Sequence, residues 1–162
     1  MKIKQSLLLT ALTAITVGSS GYAVASSCAQ GEGFFYCQTA NKKKEVSVCA
    51  TEQTAYYRFG PVGKAPEMAL SLPRHRLQGY VWLGVGKDMT YSVEFYNQNI
   101  TYEVGQYFER VTNDNDEVDV NTTGSIVVKE GADKVLAVIE CSPETIRGSI
   151  ESLDVKPTNN RL

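Results

Sequence analysis

The sequence predicts an all-β domain, an antiparallel small barrel or sandwich of about eight strands with a short C-terminal helix. Short segments in which polar and apolar residues alternate recur along the chain, separated by clusters of Gly, Pro, Asn and Asp. Such alternation is typical of strands that are buried on one face. No strand pattern is followed by a long helical pattern, so the parallel sheet of an α/β protein is not expected.

Composition sets further limits on the class of protein. The chain has 162 residues, which favours one domain, and its formal net charge is -2. A nucleic-acid-binding protein would normally carry a basic stripe, so we expect no nucleic-acid partner. His75 is the one histidine of the chain, which excludes most multi-histidine metal sites.

Residues 1–25 have the pattern of a secretory signal peptide. The segment begins with two lysines, continues with an apolar stretch over 7–17 and ends in a small-residue cleavage site at Ala25. We expect the mature chain, 26–162, to form a single disulfide-stabilised β domain in the periplasm or outside the cell, with no transmembrane segment.

A lipoprotein signal is the disfavoured alternative at this N-terminus. Two serines precede Cys28, and small residues at those positions suit lipidation. Ala25, however, stands where such signals prefer a leucine-like residue. We therefore expect cleavage without lipidation of Cys28.

Four cysteines lie in the mature part: Cys28, Cys37, Cys49 and Cys141. An even number in an oxidising compartment predicts two disulfides, and three connectivities are open. Each of them joins Cys141 to the N-terminal region, and so long a closure would add roughly 4 kcal/mol of stability. Because there is no C-x-x-C pair, a zinc site is disfavoured and we expect no metal there.

The strands follow from local pattern and from turn residues. Residues 45–49 and 67–72 alternate polar and apolar side chains, and the lysine-rich segment 40–44 forms a hairpin tip. Gly60-Pro61 and Asn97-Gln98-Asn99 are turn signals. The predicted strands are 34–39, 45–49, 55–59, 67–72, 79–85, 90–96, 100–104 with an extension to 108, 125–129 and 135–141.

The predicted C-terminal helix begins after the last strand. Ser142 suits an N-cap and Pro143 the first helical position. Ile146, Ile150 and Leu153 then recur with the spacing of one helical face. We expect a short amphipathic helix packed on the sheet.

The longest polar segment, 113–121, carries four acidic residues and no basic one: Asp114, Asp116, Glu117 and Asp119. A solvated loop is the plain interpretation. A Ca²⁺ site would need several carboxylates around one point, yet the segment lacks the central glycine and the terminal glutamate of an EF-hand. The same carboxylates could enter the cleft of a cationic enzyme, and they are our predicted partner-binding residues.

The sequence offers no catalytic set, so we predict that the protein is not an enzyme and needs no cofactor. His75 lies between two arginines, and a general base there would need a partner nucleophile. No G-x-S-x-G motif is present, and the cysteines are assigned to disulfides. A glycosidase would need two carboxylates about 5–9 Å apart. The candidates are Glu67, Glu94, Glu103 and Glu109.

The predicted strands carry many aromatic residues. Their main expected role is core and cross-strand packing. If alternate members face solvent instead, they would form a binding surface for protein, glycan or lipid. The set is Tyr56, Tyr57, Phe59, Tyr80, Trp82, Tyr91, Phe95, Tyr96, Tyr102, Tyr107 and Phe108.

Two motifs with flanking cysteines form a recognisable pattern: Val46-Ser47-Val48-Cys49, and Tyr57-Arg58-Phe59-Gly60 followed by Gly63 and Glu67. The pattern resembles a group of small exported proteobacterial proteins, and with Phe35-Tyr36-Cys37 and the segment 124–141 it covers most of 34–153. This resemblance implies a Gram-negative periplasmic or secreted protein and implies no activity. A looser similarity, of size and architecture, is to bacterial periplasmic lysozyme inhibitors, whose Ser-Gly-x-x-Tyr motif has no counterpart here.

These observations together predict a periplasmic or secreted, non-enzymatic binding protein. Its most concrete form is an inhibitor or immunity-type protein that acts on a cell-wall hydrolase, with a cationic cell-envelope protein as the partner. An envelope structural or stress protein that binds glycan or lipid is the alternative, and a small hydrolase is the least favoured.

Overall fold

The structure is a computed structural model, and it describes residues 28–84, 86, 88–112, 115–132 and 134–158. The predicted signal peptide therefore lies outside the described residues. Within them the chain forms eight strands of six or more residues and three of two residues. In chain order the strands are β1 (Glu32–Gln38), β2 (Lys44–Ala50), β3 (Thr54–Pro61), β4 (Met68–Pro73), β5 (Gln78–Gly79), β6 (Asp88–Asn97), β7 (Ile100–Thr112), β8 (Val118–Glu130), β9 (Lys134–Glu140), β10 (Arg147–Gly148) and β11 (Lys156–Pro157).

The strands make two sheets. The first has the order β10-β1-β2-β3-β4, and all of its pairs are antiparallel. The second has the order β11-β5-β6-β7-β8-β9, and its pairs are antiparallel except β11 with β5. Neither sheet closes into a barrel within the described residues. The predicted all-β class is therefore confirmed, and the small-barrel form of the prediction is not.

The two sheets bury one hydrophobic cluster between them, built by the alternation that the sequence shows. Val46, Val48 and Tyr57 face it from the first sheet, and Val93 and Phe95 face it from the second. The Tyr57 ring lies 5.6 Å from the Phe95 ring, measured between centroids, so the sheets are in direct contact.

Two disulfides join the described cysteines, Cys28 with Cys49 and Cys37 with Cys141. The structure thus selects one of the three open connectivities, and the predicted tie between Cys141 and the N-terminal region is present. The Cys28–Cys49 bond occupies the sulfur that lipidation would use. Two disulfides indicate an oxidising compartment.

The predicted C-terminal helix is wrong. Residues 142–153 form two 3-10 turns, Pro143–Thr145 and Ile150–Ser152, with β10 between them. The hydroxyl of Ser142 caps no turn, and its backbone N–H donates to the Gln38 carbonyl at 2.8 Å. Gly148 has a φ of 79°, which is incompatible with a helix, and it pairs with Phe35 of β1.

Two further segments differ from the predicted pattern. The predicted strand 79–85 is not continuous over its described residues 79–84, because the sheet pairing there is limited to β5 and an isolated bridge between Val81 and Tyr91. In contrast, β8 begins at Val118, so the end of the predicted polar loop is a strand.

Candidate functional site

The two longest strands of the described residues, β7 and β8, have 13 residues each and form a hairpin. Strand β6 pairs with β7 as far as Glu109, and β9 pairs with β8 from Ser125 onwards. Residues 110–112 therefore pair with 118–120 and have no further sheet neighbour among the described residues, while 121–123 pair with β7 but have no neighbour in β9. We call 110–112, 118–123 and the connection 115–117 the hairpin arm.

The tip of the hairpin arm is acidic. Asp116, Glu117 and Asp119 are exposed there, while Asp114 lies outside the described residues. Asp116 has a φ of 60° and so makes the turn, and Asp119 accepts a hydrogen bond from the Val120 N–H at 2.7 Å. The structure thus brings three of the four predicted partner-binding residues to one protruding end.

One face of the hairpin arm carries two exposed valines, with Thr112 and Arg110 opposite them in register. Val118 and Val120 are 69% and 45% exposed, and by alternation they lie on the same face of β8 as the buried Ile126. Phe108 extends that face at the base of the arm and packs edge-on against Tyr91, with ring centroids 6.1 Å apart. On binding a partner, the exposed valines could lose their water while the nearby carboxylates pair with cations of that partner.

Within the part of the chain that the structure describes, no group of three or more His, Cys, Asp and Glu residues is placed to hold a metal ion. Asp116, Glu117 and Asp119 are described and do not form such a group. The geometry therefore gives a Ca²⁺ site at the tip no support from these three carboxylates.

Two of the four carboxylates considered for hydrolysis face each other across β6 and β7. Glu94 and Glu103 are directly opposite in register, on the face of the sheet away from the core. Glu103 is 4% exposed, accepts a hydrogen bond from the Ser92 hydroxyl at 2.8 Å, and forms an ion pair with Lys129. Because partners within the protein already engage both oxygens of Glu103, this network has the character of a structural ion pair.

The other residues considered for catalysis are scattered. Glu67 forms an ion pair with Lys44 at 2.6 Å, and Glu109 pairs in register with Asn121 at the base of the hairpin arm. His75 is exposed in the 3-10 turn Arg74–Arg76. No cysteine among the described residues is free.

Most of the aromatic set is packed rather than displayed. Tyr96 and Tyr107 are the exposed members, and both lie on the outer face of the second sheet. They are separated by about 20 Å along the strand direction, from the rise per residue, so they do not form one groove. Burial and a hydrogen bond to the Glu94 carboxylate raise the pKa of Tyr96, which keeps its hydroxyl a donor.

Sequence reasoning missed a concavity on the outer face of the first sheet. It lies beside β2, β3 and the β3–β4 connection, and Ser47, Arg58 and Gly60 help to line it. These residues belong to the Val-Ser-Val-Cys and Tyr-Arg-Phe-Gly motifs, whose alternate members, Val48 and Tyr57, face the core. Alternation was the signal that could have found it, because Ser47 and Arg58 must then share the opposite face.

Comparison with protein-family models, with curated proteins and with solved structures finds no match to this chain. The described residues contain no helix with the length and hydrophobicity of a membrane span.

Proposed function

We propose that this chain is an exported, non-enzymatic binding protein that uses the hairpin arm to occlude the cleft of a cationic cell-wall hydrolase. The observation that carries the proposal is the arm itself: a two-stranded projection with exposed Val118 and Val120 beside exposed carboxylates. The two-sheet sandwich, cross-linked by two disulfides, would be the rigid support of this arm.

The chemistry of the hairpin arm favours a concave, positively charged partner. Carboxylates at the tip steer association with a cationic surface, and their effect weakens as salt screens it. Valines that lose water on binding supply the affinity that exposed charges do not. A two-stranded projection reaches into a cleft, where a flat sheet face cannot.

A cell-wall hydrolase meets these requirements. Its substrate is an anionic polymer, so its binding cleft is complementary to negative charge. It also works in the oxidising compartment that the two disulfides indicate. The arm would then occupy the position of the substrate.

The test is an affinity measurement with purified muramidases and amidases of differing charge. We expect micromolar or tighter binding to a cationic member, and an affinity that falls as salt rises. The variant Asp116→Asn/Glu117→Gln/Asp119→Asn should weaken binding about tenfold or more. A matched control removes three exposed acids elsewhere, Glu32→Gln/Glu52→Gln/Asp154→Asn, and should bind like the wild type.

Either of two results would reject the proposal. One is the lack of micromolar binding to every hydrolase tested, with the wild type shown to be folded. The other is equal weakening by the arm variant and by the control variant, because net charge rather than the arm would then govern binding.

A further inference from the structure

The concavity on the outer face of the first sheet has a volume of about 110 Å³ and a mixed charge. Arg58 and Lys64 line it together with one acid, Glu45. Gly60 lets the β3–β4 connection approach closely, since a Cβ atom at this position would lie 2.7 Å from the Glu67 backbone nitrogen. The wall of the concavity is therefore fixed by backbone packing.

The buried side chain of Ser47 lines this concavity with its hydroxyl. Ser47 is 3% exposed and lies between Tyr36 and Arg58 in the register of the sheet. Among the described residues, no hydrogen bond to the Ser47 hydroxyl is present. A buried polar group that folding leaves without a partner is uncommon and costs stability, so it points to a group supplied from outside the chain.

The acid in the concavity is held in one orientation. Glu45 accepts a hydrogen bond from the Tyr36 hydroxyl at 3.0 Å through one oxygen, and from the Gly63 N–H at 3.3 Å through the other. Gly63 has a φ of 69°, which a glycine adopts without strain. A carboxylate fixed in this way is placed to accept a further donor from a ligand.

We infer that the concavity binds a small α-amino carboxylate group, as found in a free amino acid or at the C-terminal residue of a peptide. The guanidinium of Arg58 and the Ser47 hydroxyl would donate hydrogen bonds to the ligand carboxylate, since a planar guanidinium can donate two parallel hydrogen bonds to a carboxylate. The Glu45 carboxylate would accept from the adjacent ammonium or amide N–H. Phosphate fits less well, because it would bring more negative charge against the Glu45 carboxylate than a zwitterionic amino acid does.

This inference is independent of the proposed function. The concavity belongs to the first sheet and the hairpin arm to the second, so a variant in one leaves the other intact. The concavity is small, so a small ligand and weak binding are expected.

The experiment titrates the disulfide-bonded protein with alanine of both hands, N-acetylalanine, alaninamide, acetate and inorganic phosphate, and follows backbone amide shifts by NMR. We expect saturable shifts at residues 45–47 and 58–63 with alanine, N-acetylalanine or both. Binding of N-acetylalanine would assign the site to peptide C-termini, and binding of alanine alone would assign it to free amino acids. Alaninamide, which lacks the carboxylate, and acetate, which lacks the donor, should each bind at least tenfold more weakly.

The variants separate a ligand site from a structural role. Ser47→Ala should weaken binding several-fold without lowering the thermal midpoint, because the hydroxyl has no partner to lose, and Arg58→Gln should weaken it at least tenfold. Ser71→Ala and Arg76→Gln, outside the concavity, are the controls and should change nothing. The inference is overturned if no carboxylate gives saturable shifts, if phosphate or acetate binds as well as alanine, or if Ser47→Ala lowers the thermal midpoint and leaves binding unchanged.

Discussion

At the scale of single residues, Glu103 and Lys129 form a mostly buried ion pair in the second sheet. Their side chains are 6% and 16% exposed, and the Ser92 hydroxyl donates to Glu103. Loss of one partner leaves a buried charge uncompensated, so Lys129→Met should lower the free energy of unfolding by about 3 kcal/mol. The double variant Lys129→Met/Glu103→Leu should recover much of this loss in chemical denaturation. Equal destabilisation by the single and double variants would show that the two residues are not coupled.

Tyr57 gives a second prediction at this scale, in the alkaline range. Burial, reinforced by the nearby Tyr102, raises the pKa of Tyr57 above its ordinary value of 10.0. Above pH 10 the unfolded chain releases this proton while the folded chain keeps it, so the free energy of unfolding falls as pH rises, by up to about 1.4 kcal/mol per pH unit. Below pH 10 the folded and unfolded chains both keep this proton, so Tyr57 does not lower the free energy of unfolding there.

The variant Tyr57→Phe tests this account by denaturation at neutral and at alkaline pH. It should cost less than about 1 kcal/mol at pH 7, because the hydroxyl has no hydrogen-bond partner among the described residues. Between pH 10 and 11 its stability should fall less steeply than that of the wild type. An exposed control, Tyr107→Phe, should keep the wild-type slope, and the prediction fails if Tyr57→Phe keeps it too.

At the scale of elements, the pairing of β10 with β1 depends on Gly148. A Cβ atom there would lie 2.3 Å from the Phe34 carbonyl oxygen, and the φ of 79° adds strain for any other residue. Gly148→Ala should therefore destabilise the protein by about 2–4 kcal/mol in thermal or chemical unfolding. Gly131→Ala is the control, with a φ of 63° and open space around the added carbon, and should cost only about 1 kcal/mol. Similar losses in both variants would refute the role given to β10.

The elements also show what the sequence could predict and what it could not. Strands such as β2 and β6 were predictable, because apolar side chains at alternate positions pack on one core. The end of β8 was obscured by its acids, although Val118 and Val120 alternate with Asp119 and Asn121. The local pattern of Ser142, Pro143, Ile146 and Ile150 favours a helix. The pairing of Arg147 and Gly148 with β1 prevents that helix from forming. The concavity depends on register between distant strands, which composition does not contain.

At the scale of the whole molecule, the Cys37–Cys141 disulfide joins β1 of the first sheet to the residue that follows β9 of the second. It closes 104 residues, whereas Cys28–Cys49 closes 21. In the chain-entropy model the longer closure contributes about 1 kcal/mol more, with a total near 4–5 kcal/mol. Replacing Cys37 and Cys141 by alanine should therefore lower stability more than replacing Cys28 and Cys49, as measured by denaturant midpoints at equal slopes. The reverse order would show that strain or residual structure in the unfolded state outweighs loop length.

Occlusion of a hydrolase cleft by the hairpin arm, as proposed above, can be measured through the rate of cell-wall lysis by a cationic muramidase. With rising concentrations of the disulfide-bonded protein we expect the rate to fall to a low plateau. The variant Val118→Asn/Val120→Asn should shift the half-inhibiting concentration upward tenfold or more, because the exposed valines no longer lose water on binding. The variant Val135→Asn/Val138→Asn, which changes equally exposed valines on β9, should inhibit like the wild type. Lysis that proceeds unchanged at every concentration, or inhibition that survives in the arm variant, would rule out occlusion by the hairpin arm.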